Sequence, residues 1–235
     1  MINLRKRSYQ PELLDQDNIP FDDIRQNMKE LNTVNRLLGG HAITVSGIKA
    51  FIKNNAATTL TICEIGCGGG DNLQAIAAWC NEKYIKVNFI GIDIKKECIA
   101  YARQQYPQLP VAWITSDYAL VDCEDNKPDI IFSSLFCHHF SEKALISMLQ
   151  WMKRNSTKGF FINDLQRHPL AYYSIKWLTR LFSRSYLVKN DAPLSVRRGF
   201  KKEEWENLLK AASIASYRIE WKWAFRYLIV YRHEQ

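Results

Sequence analysis

Short β-branched runs alternate along the chain with segments whose apolar residues recur every three or four positions. The second pattern is typical of amphipathic helices, and the first is typical of strands. The runs predict strands over 60–65, 87–93, 112–115, 129–133 and 159–163, and the spacing predicts helices from Leu73 onwards and over 96–106 and 142–154. Because strands and helices alternate, we expect one parallel sheet with helices on both faces.

The N-terminal part of the chain has only the helical pattern. Apolar positions from Phe21 to Leu38 predict a helix that ends at Gly39 and Gly40, and a second helix is predicted over 41–54. We therefore interpret residues 1–57 as an N-terminal helical cap together with the first helix of the fold.

Residues 58–235 are interpreted as the main domain, with a helical lid inserted at 165–202. A helix is predicted over 203–212, and two strands follow over 217–223 and 226–231. Because a very short turn joins these two strands, they must pair antiparallel.

Hydrophobic residues make up 47% of the 235 residues, which is enough for one full core. No apolar run is long enough to cross a membrane and the first residues lack the apolar core of a signal peptide, so we predict a cytoplasmic location. The six cysteines form no CxxC pair. We therefore expect them to be reduced and mostly buried.

The formal net charge of +8 is concentrated in the lid insertion, where nine basic residues face one acidic residue, Asp191. Such a surface favours an anionic partner, although a solvated helix face would look the same. Within it, Ala171, Ile175, Leu178 and Phe182 share one helical face, and basic residues step along another. A helix of this kind can rest on an anionic membrane, cover a hydrophobic substrate or simply pack on the domain or on a second subunit.

Glycines at 66, 68 and 70 follow the first predicted strand. Glycine suits a sharp turn that a ligand approaches closely, because a Cβ atom would block the approach. A dinucleotide fold would place the third glycine of G-x-G-x-x-G at the position of Asp71. A carboxylate there disfavours a pyrophosphate at the helix N-terminus, so NAD is not the expected ligand.

The run from Glu64 to Gly70 resembles the E/D-x-G-x-G-x-G motif of class I S-adenosylmethionine-dependent methyltransferases. The segment from Ser133 to Phe140 resembles the motif that follows the fourth strand in small-molecule and quinone-pathway members of that family. The resemblance extends from about residue 58 to the C-terminus. It implies a Rossmann-like, seven-stranded, mostly parallel sheet with an antiparallel C-terminal strand, and S-adenosyl-L-methionine as the cofactor.

The resemblance also implies roles for individual residues. Asp93 would hold the ribose hydroxyls and Asp117 would lie near the adenine amino group, while Ser134 would line the methionine end. Asp117 could instead be an ordinary turn residue, and Glu64 could merely pair locally. The full set implied for the cofactor is Glu64, Gly66, Cys67, Gly68, Gly70, Asp93, Ile94, Asp117, Tyr118 and Ser134.

His138 and His139 follow the fourth strand, at the sheet edge where open α/β folds bind ligands. An imidazole there could accept a proton, so both are candidate catalytic bases, although either could cap a helix or pack in the interior. Asn163 and Asp164 could also face the substrate. Because no Asp, Glu and His cluster with ligand spacing is visible in the sequence, we expect no metal.

The predicted activity is methylation of a small hydrophobic aromatic acceptor, a phenol or a quinol, with O-methylation favoured over C-methylation. The absence of an N-P-P-Y or D-P-P-Y run disfavours amino-group methylation. Two alternatives stay open. The chain could methylate tRNA or rRNA, although no separate RNA-binding module is visible, or it could bind the cofactor without turnover.

Overall fold

A computed structural model describes residues 3–52, 59–123 and 126–234. Its sheet has seven strands in the order β3-β2-β1-β4-β5-β7-β6, and β7 runs antiparallel to the other six. This confirms the predicted fold class. The strands are β1 Leu60–Ile65, β2 Val87–Asp93, β3 Val111–Thr115, β4 Ile130–Ser134, β5 Gly159–Leu165, β6 Tyr217–Lys222 and β7 Arg226–Arg232.

Helices cover both faces of the sheet. They are α1 Phe21–Leu37, α2 Gly40–Lys49, α3 Asp71–Glu82, α4 Lys96–Gln105, α5 Glu142–Asn155, α6 Pro169–Phe182, α7 Tyr186–Arg198 and α8 Lys202–Ala211. One buried cluster lies between the sheet and the α5 and α8 helices, and a second lies between the sheet and the α2 and α3 helices. The central strand β4 is buried along its whole length because both of its faces are covered.

Most predicted strands and helices lie within two residues of the observed ones. The exceptions are in the helical parts. Helix α2 ends at Lys49, whereas the prediction extended it to Asn54, which lies outside the described residues. The proposed division of the chain at 57/58 also lies outside them and stays a prediction. Helix α7 within the lid insertion was not predicted.

All six cysteines are buried and unpaired, as expected. In the part of the chain that the structure describes, no helix is both long and apolar enough to span a membrane.

Residues 3–20, which we call the N-terminal strap, lie against the lid insertion and the segment that follows β4. The guanidinium of Arg7 donates to the carbonyl oxygens of His138 and Phe140 at 2.9 and 2.8 Å. The carboxylate of Asp191 in α7 accepts from the backbone N–H groups of Leu13 and Leu14 at 2.8 and 2.9 Å. The one acidic residue of the lid insertion therefore fastens the strap.

Candidate active site

The glycine turn after β1 has backbone conformations that other residues rarely adopt. Gly66, Gly68 and Gly70 have φ values of +67°, +51° and +78°. A Cβ atom on Gly66 would overlap the ring of Phe136, whereas one on Gly68 would meet no atom closer than 3.6 Å. The turn at Gly68 therefore borders open space, which is what close approach of a ligand requires.

Asp93 ends β2 beside this turn. Its two carboxylate oxygens accept from the backbone N–H groups of Gly68 and Lys95, each at 2.9 Å. Burial raises the pKa of Asp93 above its ordinary value. Each oxygen keeps a free lone pair, so the fixed carboxylate can still accept hydrogen bonds from a ligand.

A cavity of about 750 Å³ extends from the glycine turn to the lid insertion. It contains every predicted catalytic residue and all but two of the predicted cofactor residues. Those in its wall are Gly66, Cys67, Gly68, Asp93, Ile94, Asp117, Tyr118, Ser134, His138 and His139.

Glu64 and Gly70 do not belong to the cavity wall. The Glu64 side chain is fully buried and its Oε1 accepts from Nδ2 of Asn72 at 2.9 Å. Burial raises its pKa well above the ordinary value. A Cβ on Gly70 would lie 2.6 Å from the Trp113 ring, so close packing accounts for this glycine. Direct contact of either residue with the cofactor stays a prediction.

Asp71 occupies the start of α3, as the sequence predicted. Its Oδ2 accepts from Nε2 of His41 at 2.7 Å and from Nδ2 of Asn35 at 3.2 Å. The helix N-terminus is therefore already matched with a protein carboxylate, which leaves little place there for a pyrophosphate.

His138 lies in a short 3-10 helix after β4 and is paired with Asp164 of β5. Its Nδ1 is 2.8 Å from Oδ1 of Asp164, and both side chains are buried. Burial alone would raise the pKa of Asp164, but the charge and hydrogen bond of His138 outweigh it and hold that pKa below the ordinary value. Because an ionised carboxylate only accepts, Nδ1 carries the proton and Nε2 can act as an acceptor.

A second histidine pair lies next to the first. Nδ1 of His139 is 3.0 Å from Oδ1 of Asp15 in the strap, and the two imidazole centroids are 4.5 Å apart. Burial would raise the pKa of Asp15, but the hydrogen bond and charge of His139 lower it to about 2. Both histidines are therefore oriented by carboxylates at Nδ1.

Glu12 of the strap lies between the two Nε2 atoms. Its carboxylate oxygens are 3.6 Å from Nε2 of His138 and 3.8 Å from Nε2 of His139, which is too long for hydrogen bonds. Burial raises the Glu12 pKa to about 7, although the charge of His139 and the hydrogen bond of Ser195 oppose the rise. Glu12 can therefore exchange a proton near neutral pH.

These three side chains form a group with metal-ligand spacing, since their ligand atoms all lie within 4.8 Å of one another. The sequence contained no visible cluster because Glu12 is more than a hundred residues away from the histidines. The expectation that the protein uses no metal stays a prediction.

Arg198, at the end of α7, fixes the backbone around the histidines. Its Nε donates to the carbonyl of His138 at 3.0 Å and its Nη2 to that of His139 at 2.8 Å. Nη1 donates to the carbonyl of Gln10 in the strap at 2.6 Å. Arg198 and Glu12 were not predicted as site residues, because no local pattern marks contacts between such distant segments.

The comparisons with known proteins agree with this geometry. Residues 62–159 match the family model described as a methyltransferase domain. Residues 62–159 therefore carry a methyltransferase domain, and the chain is similar to class I S-adenosylmethionine-dependent methyltransferases. No curated protein matches the chain.

Solved structures similar to the methyltransferase share its fold at low identity. The plantazolicin methyltransferase BpumL, in complex with a triazolic desmethylPZN analog and SAH, has a TM-score of 0.67 and 17% identity, covering 90% of this chain and 91% of that one. A SAM-dependent methyltransferase from Aquifex aeolicus has a TM-score of 0.62 and 20% identity, covering 88% and 97%. Human N-acetylserotonin methyltransferase has a TM-score of 0.61 and 16% identity, covering 92% of this chain and 57% of that one.

The site fits its cofactor, S-adenosylmethionine. Gly68 leaves the space that close approach needs, and Asp93 provides a fixed carboxylate with unused lone pairs in the cavity wall. Two hydroxyls that donate to one carboxylate form charge-assisted hydrogen bonds. Asp93 would therefore hold the ribose, and the open turn would lie against the remainder of the cofactor.

Proposed function

We propose that this methyltransferase methylates a hydroxyl of a small hydrophobic aromatic acceptor, a phenol or a quinol. The observation that carries the proposal is a buried histidine and carboxylate pair, in which His138 lines a mainly apolar cavity and Asp164 lies behind it. A phenolic hydroxyl must lose its proton as it becomes a nucleophile, and the pair provides a base for that proton.

The wall on the acceptor side supports a hydrophobic molecule. Helices α1, α6 and α7 and the β6–β7 hairpin supply apolar and aromatic side chains to it. They include Leu31, Val34, Ile175, Leu178, Val188, Val196, Trp221, Trp223 and Phe225. Such a wall binds an aromatic ring by excluding water, and a few polar groups are enough to orient it.

The cofactor, when bound, supplies a methyl carbon that its sulfonium already activates. The enzyme then has to align the acceptor, exclude water and remove one proton. His138 takes the hydroxyl proton on Nε2, while Asp164 keeps the proton on Nδ1 in place and stabilises the imidazolium that forms. His139 and Glu12 lie beside Nε2 and can accept the proton afterwards.

The test is a methyl-transfer assay with a panel of phenols and quinols, in which mass spectrometry distinguishes O-methyl from C-methyl products. His138→Gln should lower kcat by about a thousandfold, because general-base catalysis contributes in that range. The same substitution at His233, which bonds to Ser156 and Tyr231 and does not line the cavity, should leave kcat unchanged.

Two results would overturn the proposal. One is methylation of tRNA or rRNA with no methylation of any phenol or quinol. The other is equal kcat in wild type and His138→Gln at every pH, which would remove the base from the mechanism.

A further inference from the structure

Helix α6 of the lid insertion exposes an unusual number of large apolar side chains. Six of its fourteen residues are large, apolar and between 43% and 78% exposed. They recur at three- and four-residue steps along one side of the helix, which makes them contiguous. They are Leu170, Tyr173, Trp177, Leu178, Leu181 and Phe182.

The structure differs here from the face expected from sequence. Ala171 is buried and Ile175 is partly buried, while Phe182 of the same predicted face is 78% exposed. The helix is held mainly through Ala171, Tyr172 and Thr179, its three buried residues. The apolar side of α6 is therefore wider than the part that packs against the protein, and its remaining residues face outwards.

The exposed face continues towards the mouth of the cavity. His168 caps α6 and stacks on Phe225 at 4.8 Å between centroids, and the Phe225 ring packs edge-on against Trp221. Trp221 and Trp223 are more than half exposed and also line the cavity. The apolar surface thus runs from the outer side of α6 to the rim of the acceptor site.

Cations border this surface along one edge. Lys176 and Arg180 of α6 and Arg184, which follows the end of the helix, are exposed and recur at four-residue intervals. In the described part of the chain, none of their charged groups forms an ion pair with a carboxylate. Unpaired cations beside an apolar face complement an anionic surface.

We propose that α6 docks this enzyme on an anionic lipid surface. The six apolar side chains enter the boundary between headgroups and acyl chains, and the three cations bind the headgroups. A folded protein partner is the weaker match, because protein interfaces need about one hydrogen bond per 100–200 Å². Among its exposed residues the apolar side of α6 offers only three such groups, the hydroxyls of Tyr173 and Ser174 and the indole N–H of Trp177. The tyrosine and tryptophan groups also suit the headgroup boundary of a bilayer.

Docking would also place the cavity beside an apolar phase. Ala171 and Ile175 line the cavity from the inner side of the same helix, and Leu178 lies at the edge between the exposed face and the cavity wall. A hydrophobic acceptor dissolved in the bilayer would then reach the site along α6. Only this route of the acceptor rests on the proposed function. The docking itself requires neither cofactor nor acceptor, so it is tested without them.

The experiment is co-sedimentation of the full chain with vesicles of phosphatidylcholine containing about a third phosphatidylglycerol. Trp177→Ser/Leu181→Ser/Phe182→Ser, none of which lines the cavity, should weaken binding about a hundredfold. Lys176→Gln/Arg180→Gln/Arg184→Gln should weaken it about as much, since each cation near an anionic surface contributes about fivefold. A matched control, Tyr84→Ser/Leu120→Ser, removes side chains that are 95% and 80% exposed elsewhere and should bind like wild type.

Several results would overturn the docking. Wild type that stays in the supernatant at millimolar lipid would do so, as would a serine variant that sediments like wild type. A dimer in sedimentation velocity that the serine variant splits would identify the face as a subunit contact. Binding of soluble polyglutamate without binding of vesicles would identify an acidic polypeptide as the partner.

Discussion

The cofactor side and the acceptor side of the cavity are built in different ways. On the cofactor side, Gly68, Asp93 and Asp117 lie at or just after the ends of three adjacent strands, β1, β2 and β3. On the acceptor side, Glu12 belongs to the strap, His138 follows β4, Asp164 lies within β5 and Arg198 ends α7. Short segments of sequence position the first group, whereas only the completed fold assembles the second.

The largest effect is expected from a substitution on the acceptor side, at Asp164. Asp164→Asn should lower kcat by about a thousandfold, because an amide can hold the imidazole in the tautomer that lacks a free Nε2 lone pair. Steady-state kinetics with a phenolic acceptor measures the loss. Titration calorimetry should show cofactor affinity unchanged, and a weakened affinity of the same size would mean that Asp164 only maintains the fold.

The second prediction concerns Glu12 and the pH dependence of stability. Its folded pKa of about 7 lies above the ordinary 4.5, so the native state binds the proton more tightly than the unfolded chain. The resulting stabilisation is complete below about pH 4.5 and is lost as pH rises through about 7. A shift of this size corresponds to about 3 kcal/mol of unfolding free energy, as an order of magnitude.

Urea denaturation of wild type and Glu12→Gln at about pH 5 and about pH 7.5 measures that difference. The glutamine variant lacks the titrating carboxyl and should not show this loss of stability. The lowered pKa values of Asp15 and Asp164 act in the opposite sense and mainly below pH 4, outside this window. Parallel pH profiles for the two proteins would refute the assignment.

On the cofactor side, Asp93→Ala should weaken binding of S-adenosylmethionine about a hundredfold, because two charge-assisted hydrogen bonds are lost. Titration calorimetry measures it, with NADH as the ligand that should not bind. Asp117→Ala provides a comparison, because this carboxylate already accepts a hydrogen bond from the backbone N–H of Ala119. The substitution should weaken cofactor binding by less than about tenfold. An Asp93→Ala protein that binds like wild type would remove the ribose assignment.

The sequence predicted the cofactor side well because its signals are local. Strands β1 and β2 were predicted with their observed ends, since a β-branched run and the glycines or acid that follow it mark both. Helix α7 was missed because Pro193 lies inside it and a proline predicts a helix end. Its buried face, which includes Leu187, Val188 and Leu194, packs well enough to offset the lost hydrogen bond.

The group of polar side chains around His138 and His139 was only partly predicted, because some of its members come from a distant segment of the chain. His138 and His139 were recognised by their place after a strand, and Asp164 by its place at the end of another. Their partners in the strap, Glu12 and Asp15, lie more than a hundred residues away in a stretch with no periodic pattern. Pairing across such a distance depends on the tertiary fold and leaves no local signature in one sequence.

The smallest effect is expected from removal of metal ions. The Nε2 lone pair of His138 can take the acceptor's proton or bind a cation, but it cannot do both. If proton transfer is its role, a chelator should leave kcat within about twofold, because general-base catalysis needs no metal. Added Zn²⁺ should inhibit, because Glu12, His138 and His139 offer ligand atoms within 4.8 Å of one another.

Loss of activity on chelation and its recovery with Zn²⁺ would instead make this cluster a metal centre. In that case Asp164 and Asp15, which bond to the histidines at Nδ1, would orient metal ligands.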